Sequence, residues 1–248
     1  MLYKEVTSQV DLSFVKASSR QALSKPAIIL GIKMITLYTF TTPNGRKISI
    51  MLEELGIEYQ VKVINIGKGE QFDPAFLAIS PNNKIPAIVD DAAPDGPLAL
   101  FESGAILTYL AEQHGQFLAP RGAERFKTLQ WVYWQIGGLG PMLGQLGHFG
   151  KFADEKIPYP IKRFTDESDR LLGLMEKQLS THKFLAGDQY SIADIAAYPW
   201  TLTATDFLKD FIGDSLAQKP ALQAWLQTVG ERPAVQRGME IPVLPQSS

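Results

Sequence analysis

The stretch MITLYTFTTPNGRKISIMLEELG, residues 34 to 56, decides how the rest of the chain is read. Met34 to Phe40 is rich in β-branched and aromatic residues that alternate with period two, the mark of a strand with unlike faces. Thr42-Pro43-Asn44-Gly45 breaks that pattern with turn residues. Ile48, Met51, Leu52 and Leu55 then recur at helical spacing, and Gly56 is placed to stop the helix. A strand followed at once by a helix predicts an α/β unit.

Reading outward, Tyr59 to Ile66 is a second strand, GKGEQFDP a loop and Pro74 to Ile79 a short helical turn. Ala87 to Val89 and Leu98 to Phe101 are two short strands, and Ile106 to Leu110 mark a helix ending near Gly115. Strand, helix, strand, helix, strand, strand, helix implies a mixed sheet with helices on both faces. After Pro120 helical periods dominate, over Phe126 to Ile136, Ile161 to Leu179, Ile192 to Leu208 and Leu222 to Val229. The expected organisation is therefore α/β plus all-α: an N-terminal extension over 1–33, an α/β domain over 34–115, a linker around 114–122, and an all-helical domain over 121–241. The first 33 residues are polar and mildly basic. Their apolar patch, Ala27 to Ile32, is too short for a secretory leader, so a flexible extension is expected, and Met34 is a second plausible start.

Bulk properties narrow the function. Net charge is −2 with both signs interspersed, so no basic field gathers nucleic acid. No run approaches the roughly 18 to 20 apolar residues of a bilayer crossing, and a soluble chain is expected. There is no cysteine, which removes disulfides, thiolate metal sites and a cysteine nucleophile. Any thiol chemistry must use a sulfur brought by a ligand. His148 has no carboxylate or second histidine at ligand spacing, so no metal is expected.

Three separated stretches carry candidate chemistry. Thr42 and Asn44 stand at the positive end of a helix, where hydroxyl, amide and backbone N–H groups favour an anion such as a thiolate; the same residues also serve as plain turn formers. Asn83-Lys84-Ile85-Pro86-Ala87 enters a strand through a proline, in a setting that suits a cis bond, and the backbone of Ile85 could pair with a short peptide; a strand-start proline without a ligand fits equally. Glu102-Ser103-Gly104 opens a helix, with Ser103 as an N-cap candidate able to hold a carboxylate and Glu102 able to take an ammonium. Together they form a receptor for a short, γ-linked, thiol-bearing peptide. Ser191-x-x-Asp194 reads as a capping box that serves folding. Trp131, Trp134, Trp200 and Trp225 read as core. The glycines between 137 and 150, with Pro141, must bend or loosen their helix, either to shape a second-substrate pocket or to admit a partner subunit.

With IPA and ESG in the α/β half, and FLAGD (184–188) and SIAD (191–194) in the helical half, the chain resembles the cytosolic glutathione transferases over about residues 34 to 240. TPNG, GKGEQF, SPNNKIPAIVD and FESGAILTYLAE resemble the Nu class, which includes glutathione-dependent disulfide-bond oxidoreductases and a fungal nitrogen regulator. The resemblance implies a thioredoxin-like N-terminal domain and a glutathione co-substrate without metal. It places Thr42 and Asn44 at the glutathione sulfur as the catalytic pair, Gln71 at its glycyl end, and Lys84, Ile85 and Pro86 along its cysteinyl backbone. Glu102 and Ser103 fall at its γ-glutamyl group, and Arg163 reaches it from the helical domain. No tyrosine, serine or cysteine of other classes is evident: Tyr38 lies within the strand, and Thr41 stands about where a serine would. Reduction of disulfides is thus favoured over conjugation of electrophiles. A cytoplasmic homodimer is implied, with a non-catalytic glutathione-sensing module as the alternative.

Overall fold

The computed structural model describes residues 34–244. The expected extension over 1–33 and the possible start at Met34 therefore concern residues at or beyond the edge of the described chain.

Strand β1 (Ile35–Thr39) buries Ile35, Leu37 and Thr39 and turns Thr36 and Tyr38 to the opposite face. β2 (Tyr59–Val63) runs parallel to it, and β3 (Ala87–Asp90) and β4 (Leu98–Phe101) complete an antiparallel edge in the order β2-β1-β3-β4. The register sets Leu37 beside Ile88 and Ala87 beside Phe101. Helix α1 (Pro43–Leu55) lays Ile48, Met51 and Leu52, all fully buried, in the core. It ends as expected on Gly56, whose left-handed φ of 64° returns an N–H to the Glu53 carbonyl. The short α2 (Pro74–Leu77) brings Phe76 within 6.1 Å of the Tyr38 ring on the other face, and α3 (Ser103–His114) follows β4. The sheet is thus mixed and covered on both sides.

The rest is helical: α4 (Ala123–Trp134), α5 (Gly140–Gly147), α6 (Pro158–Leu179), α7 (Ile192–Asp206), α8 (Lys209–Ala217), α9 (Pro220–Gly230) and α10 (Pro233–Met239). The glycine-rich segment does not break into loop. It winds into two π-helical turns, Gln135–Leu139 and His148–Phe152, that bracket α5. Three further details differ from the pattern. β2 stops at Val63, because the Asn65 side chain caps a 3-10 turn over Ile66–Lys68. α8 and α10 are additional helices, the first nine residues long with Ile212 and Leu216 buried and the second only seven residues long. α10 packs on α1 so closely that a Cβ on Gly238 would meet Ile50 Cα at 2.5 Å, and Ser49 Oγ donates to the Gly238 carbonyl at 2.6 Å. No described helix is long and apolar enough to cross a membrane.

Candidate functional site

Thr42 precedes α1 with extended backbone, and its Oγ1 accepts the Gly45 N–H at 3.1 Å. That bond occupies an acceptor lone pair and leaves the hydroxyl proton free to point elsewhere. One residue into the helix, Asn44 Oδ1 accepts from the Trp200 indole Nε1 at 2.8 Å. Its Nδ2 is the donor that remains. Both side chains face a cavity of about 820 Å³ between the α1 mouth and the helical half. No acidic residue occupies the first turn of α1, so the helix end keeps its affinity for negative charge.

Gln71, Lys84 and Ile85 line the same cavity. Gln71 Oε1 is buried without a partner among the described residues, an acceptor in want of an N–H. The Ile85-Pro86 peptide is cis, and Pro86 is buried beneath the lining. Ser80 Oγ donates to the Lys84 carbonyl at 2.8 Å and ties down the loop ahead of it. The opposite wall is apolar, formed by Leu143, Phe152, Phe207 and Leu208 with Trp200, while Gly144, Gly147 and His148 supply its α5 side. A Cβ on Gly144 would stand 3.3 Å from the Trp200 ring, so the glycine gives that ring its room. The glycine-rich segment thus forms a wall of this cavity.

Glu102 and Ser103 do not line this cavity. They follow directly on β4, and since Ala87 pairs with Phe101, Pro86 falls across the ladder from Glu102. Glu102 holds φ at 72° and is the cap residue of α3, with no side-chain cap bond. Ser103 is therefore the first helical residue rather than the N-cap expected from the sequence. Its buried hydroxyl is held by Lys47 Nζ at 3.2 Å. Arg163 stands apart from all of these, exposed on α6 beside Tyr159, Lys162 and Glu167 in a separate depression. α6 turns Ser168, Leu171, Leu172 and Met175 inward, and Arg163 falls on its outer side.

Trp200 is the correction of most consequence. Trp131 and Trp225 are core, as their spacing implies, but Trp200 reaches the cavity and orients Asn44. No sequence signal joins two residues 156 positions apart. Lys47 was equally silent: a lysine in an amphipathic helix ordinarily faces water.

Family models for the glutathione S-transferase N-terminal and C-terminal domains match residues 33–112 and 147–233. The chain belongs to the glutathione S-transferase family. Within that family it is 51% identical over 203 residues to the disulfide-bond oxidoreductase YfcG of Escherichia coli, covering 81% of this chain and 92% of the relative. A glutathione transferase family member from Pseudomonas fluorescens, solved with two glutathione molecules bound, superimposes with a TM-score of 0.82 at 46% identity, over 85% of this chain and 94% of that one. A Pseudomonas putida glutathione transferase, solved with one glutathione disulfide per subunit, gives 0.81 at 44%, over 85% and 92%. The thioredoxin-like sheet followed by a helical domain is thus the family architecture, and the Nu-class motifs agree with the oxidoreductase relative.

Proposed function

We propose that the protein is a glutathione-dependent disulfide-bond reductase that activates the thiol of its co-substrate with the neutral donors Thr42 and Asn44. One observation carries the reading: Thr42 Oγ1 and Asn44 Oδ1 each already accept a hydrogen bond within the protein, from Gly45 and Trp200, which leaves the Thr42 hydroxyl proton and the Asn44 Nδ2 as the donors that these two cavity-lining residues can offer. Two donors at a helix N-terminus favour thiolate over thiol, and a free thiol near pKa 8.5 is only a few per cent ionised at neutral pH. Gln71 suits the glycyl end of the peptide, Lys84 and Ile85 with Pro86 its middle, and Glu102 with Ser103 its γ-glutamyl group.

In the reaction the bound glutathione thiolate attacks one sulfur of a disulfide and expels the other as thiolate. A second glutathione attacks the resulting mixed disulfide, giving glutathione disulfide and the second reduced thiol. Two glutathiones are oxidised and one disulfide is reduced, without a protein sulfur, which the absence of cysteine from the sequence requires. The relatives' names and the two glutathiones or single glutathione disulfide in solved neighbours agree with this sequence. The apolar wall opposite Asn44 suits the organic part of the disulfide.

A homodimer working in the cytoplasm completes the proposal. On α4, Phe126 and Tyr133 lie seven residues apart, each 68% exposed, two aromatic side chains that a second copy would cover. Reduced glutathione is supplied in a reducing compartment.

Steady-state turnover of a model disulfide with glutathione, followed by a coupled glutathione reductase, tests the function. Saturable turnover is expected. Tight glutathione binding without turnover would leave a sensing module instead.

A further inference from the structure

Lys47 is 1% exposed, yet among the described residues its ammonium meets no carboxylate: it donates to Ser103 Oγ at 3.2 Å and to Gln135 Oε1 at 2.5 Å. A buried charge with neutral partners alone is costly to keep. Removal from water pulls the group down to about 7, and the nearby charge of Glu102 acts in the opposite sense. The other charged groups on the elements packed around α1 are otherwise engaged or distant. Asp194 on α7 is taken up by Leu185, Ser191 and Trp225, Arg237 on α10 pairs with Glu53, and Glu112, His114 and Asp206 stand at the far ends of their helices.

Lys47 joins three elements. It leaves α1 one turn after Asn44, meets the first residue of α3, and continues to the π-helical turn after α4, where Gln135 Nε2 is buried without a partner among the described residues. A Cβ on Gly104 would collide with Ile136 of that same turn. The junction is close-packed, and Ser103 has little freedom within it. An ammonium has only donors to offer. When it holds Ser103 Oγ as an acceptor, the hydroxyl's own proton must be directed to some other acceptor. A neutral amine could accept that proton itself, and the hydroxyl would then have no donor to present.

We propose that Lys47 is a positioning residue of the glutathione site: its buried ammonium turns the Ser103 hydroxyl outward as a donor and supplies the positive charge that the ligand's γ-glutamyl carboxylate meets. The inference rests on the glutathione reading above and deepens it. Carboxylate capture is then linked to protonation of Lys47, strong where the amine is charged and weaker where it is not.

The test compares two S-methylated ligands, glutathione and 4-aminobutanoyl-cysteinylglycine, which differ only in the γ-glutamyl carboxylate; calorimetry gives their affinity ratio. Wild-type protein is expected to prefer the carboxylate at about pH 6 by about tenfold or more, as a charge-assisted hydrogen bond provides. The preference should shrink severalfold by about pH 8, after correction for the ligands' own ammonium groups, which are titrated separately because an α-amino group ionises at about 8. Lys47→Met, checked for folding by circular dichroism, should lose the preference while binding the analogue as before. A lysine with a merely structural role would lower both affinities together and leave the ratio unmoved. A wild-type preference that is constant over this range, or a folded Lys47→Met that retains it, overturns the role of Lys47. Wild-type protein that binds neither ligand overturns the glutathione reading itself. The wild-type pH series decides the matter even where the variant does not fold.

Discussion

α1 and α7 both begin at a hydroxyl residue, Thr42 and Ser191, whose oxygen accepts an N–H from an early helical residue. Around Ser191 nothing is left over. Asp194 accepts from the Leu185 and Ser191 backbones, the Ser191 hydroxyl and the Trp225 indole, and the whole arrangement is buried. Around Thr42 each oxygen accepts one bond, while the hydroxyl proton of Thr42 and the Nδ2 of Asn44 are left over on residues that line a cavity. The same capping chemistry builds a closed knot in one place and an open receptor in the other, and the difference lies in which valences the fold leaves unused.

Asp194→Ala should show the largest effect. It strands four buried donors, and a loss of about 3 kcal/mol or more in urea unfolding is expected, with turnover per folded molecule unchanged. Impaired turnover in the surviving folded fraction would break the division between the two caps. Asn44→Ala should do the reverse: about a hundredfold loss in kcat/KM, in line with removal of one donor aimed at developing charge, with stability within about 1 kcal/mol of the parent. A variant that melts early but turns over normally would make Asn44 a turn residue only. Thr42→Ala should lose about 1 kcal/mol as a cap and about tenfold in turnover, whereas Thr42→Ser should keep both. Trp200→Phe, which frees Asn44 Oδ1, should cost severalfold in kcat with little change in melting.

The smallest effect is a pH trend. Burial pushes the Asp194 carboxyl up to about 6, although its four donors pull the other way. The folded protein then retains a proton that the unfolded chain gives up at lower pH. Stability from this group is full at acid pH and falls as pH rises through about 6. Melting of the parent relative to Asp194→Asn should decline over that window, and a rise would contradict it.

The closed knot was legible in the sequence and the open site only in outline. Ser191 and Asp194 stand three apart, and helical spacing alone puts them together. Thr42, Asn44 and Ile85 stand out by their turn and strand entrance, whereas Gln71 and Lys84 are expected only from the family resemblance; all five line one cavity. Trp200, Lys47 and Gln135 could not be anticipated, because their roles depend on how the helical half packs on α1. Ser103 was recognised, but its place in the first turn of α3 and its bond to Lys47 are products of the same packing. Arg163 was assigned by motif, and the rotation of α6 carries it away from the cavity in this chain.

The central claim is that a sulfur supplied by glutathione is ionised by two neutral donors. Ultraviolet titration of the thiolate in the glutathione complex measures this directly. Bound glutathione should ionise about one unit or more below the ordinary thiol value near 8.5, and Asn44→Ala should return it most of the way. Bound glutathione that titrates like the free peptide, in the parent and the variant alike, would contradict the account.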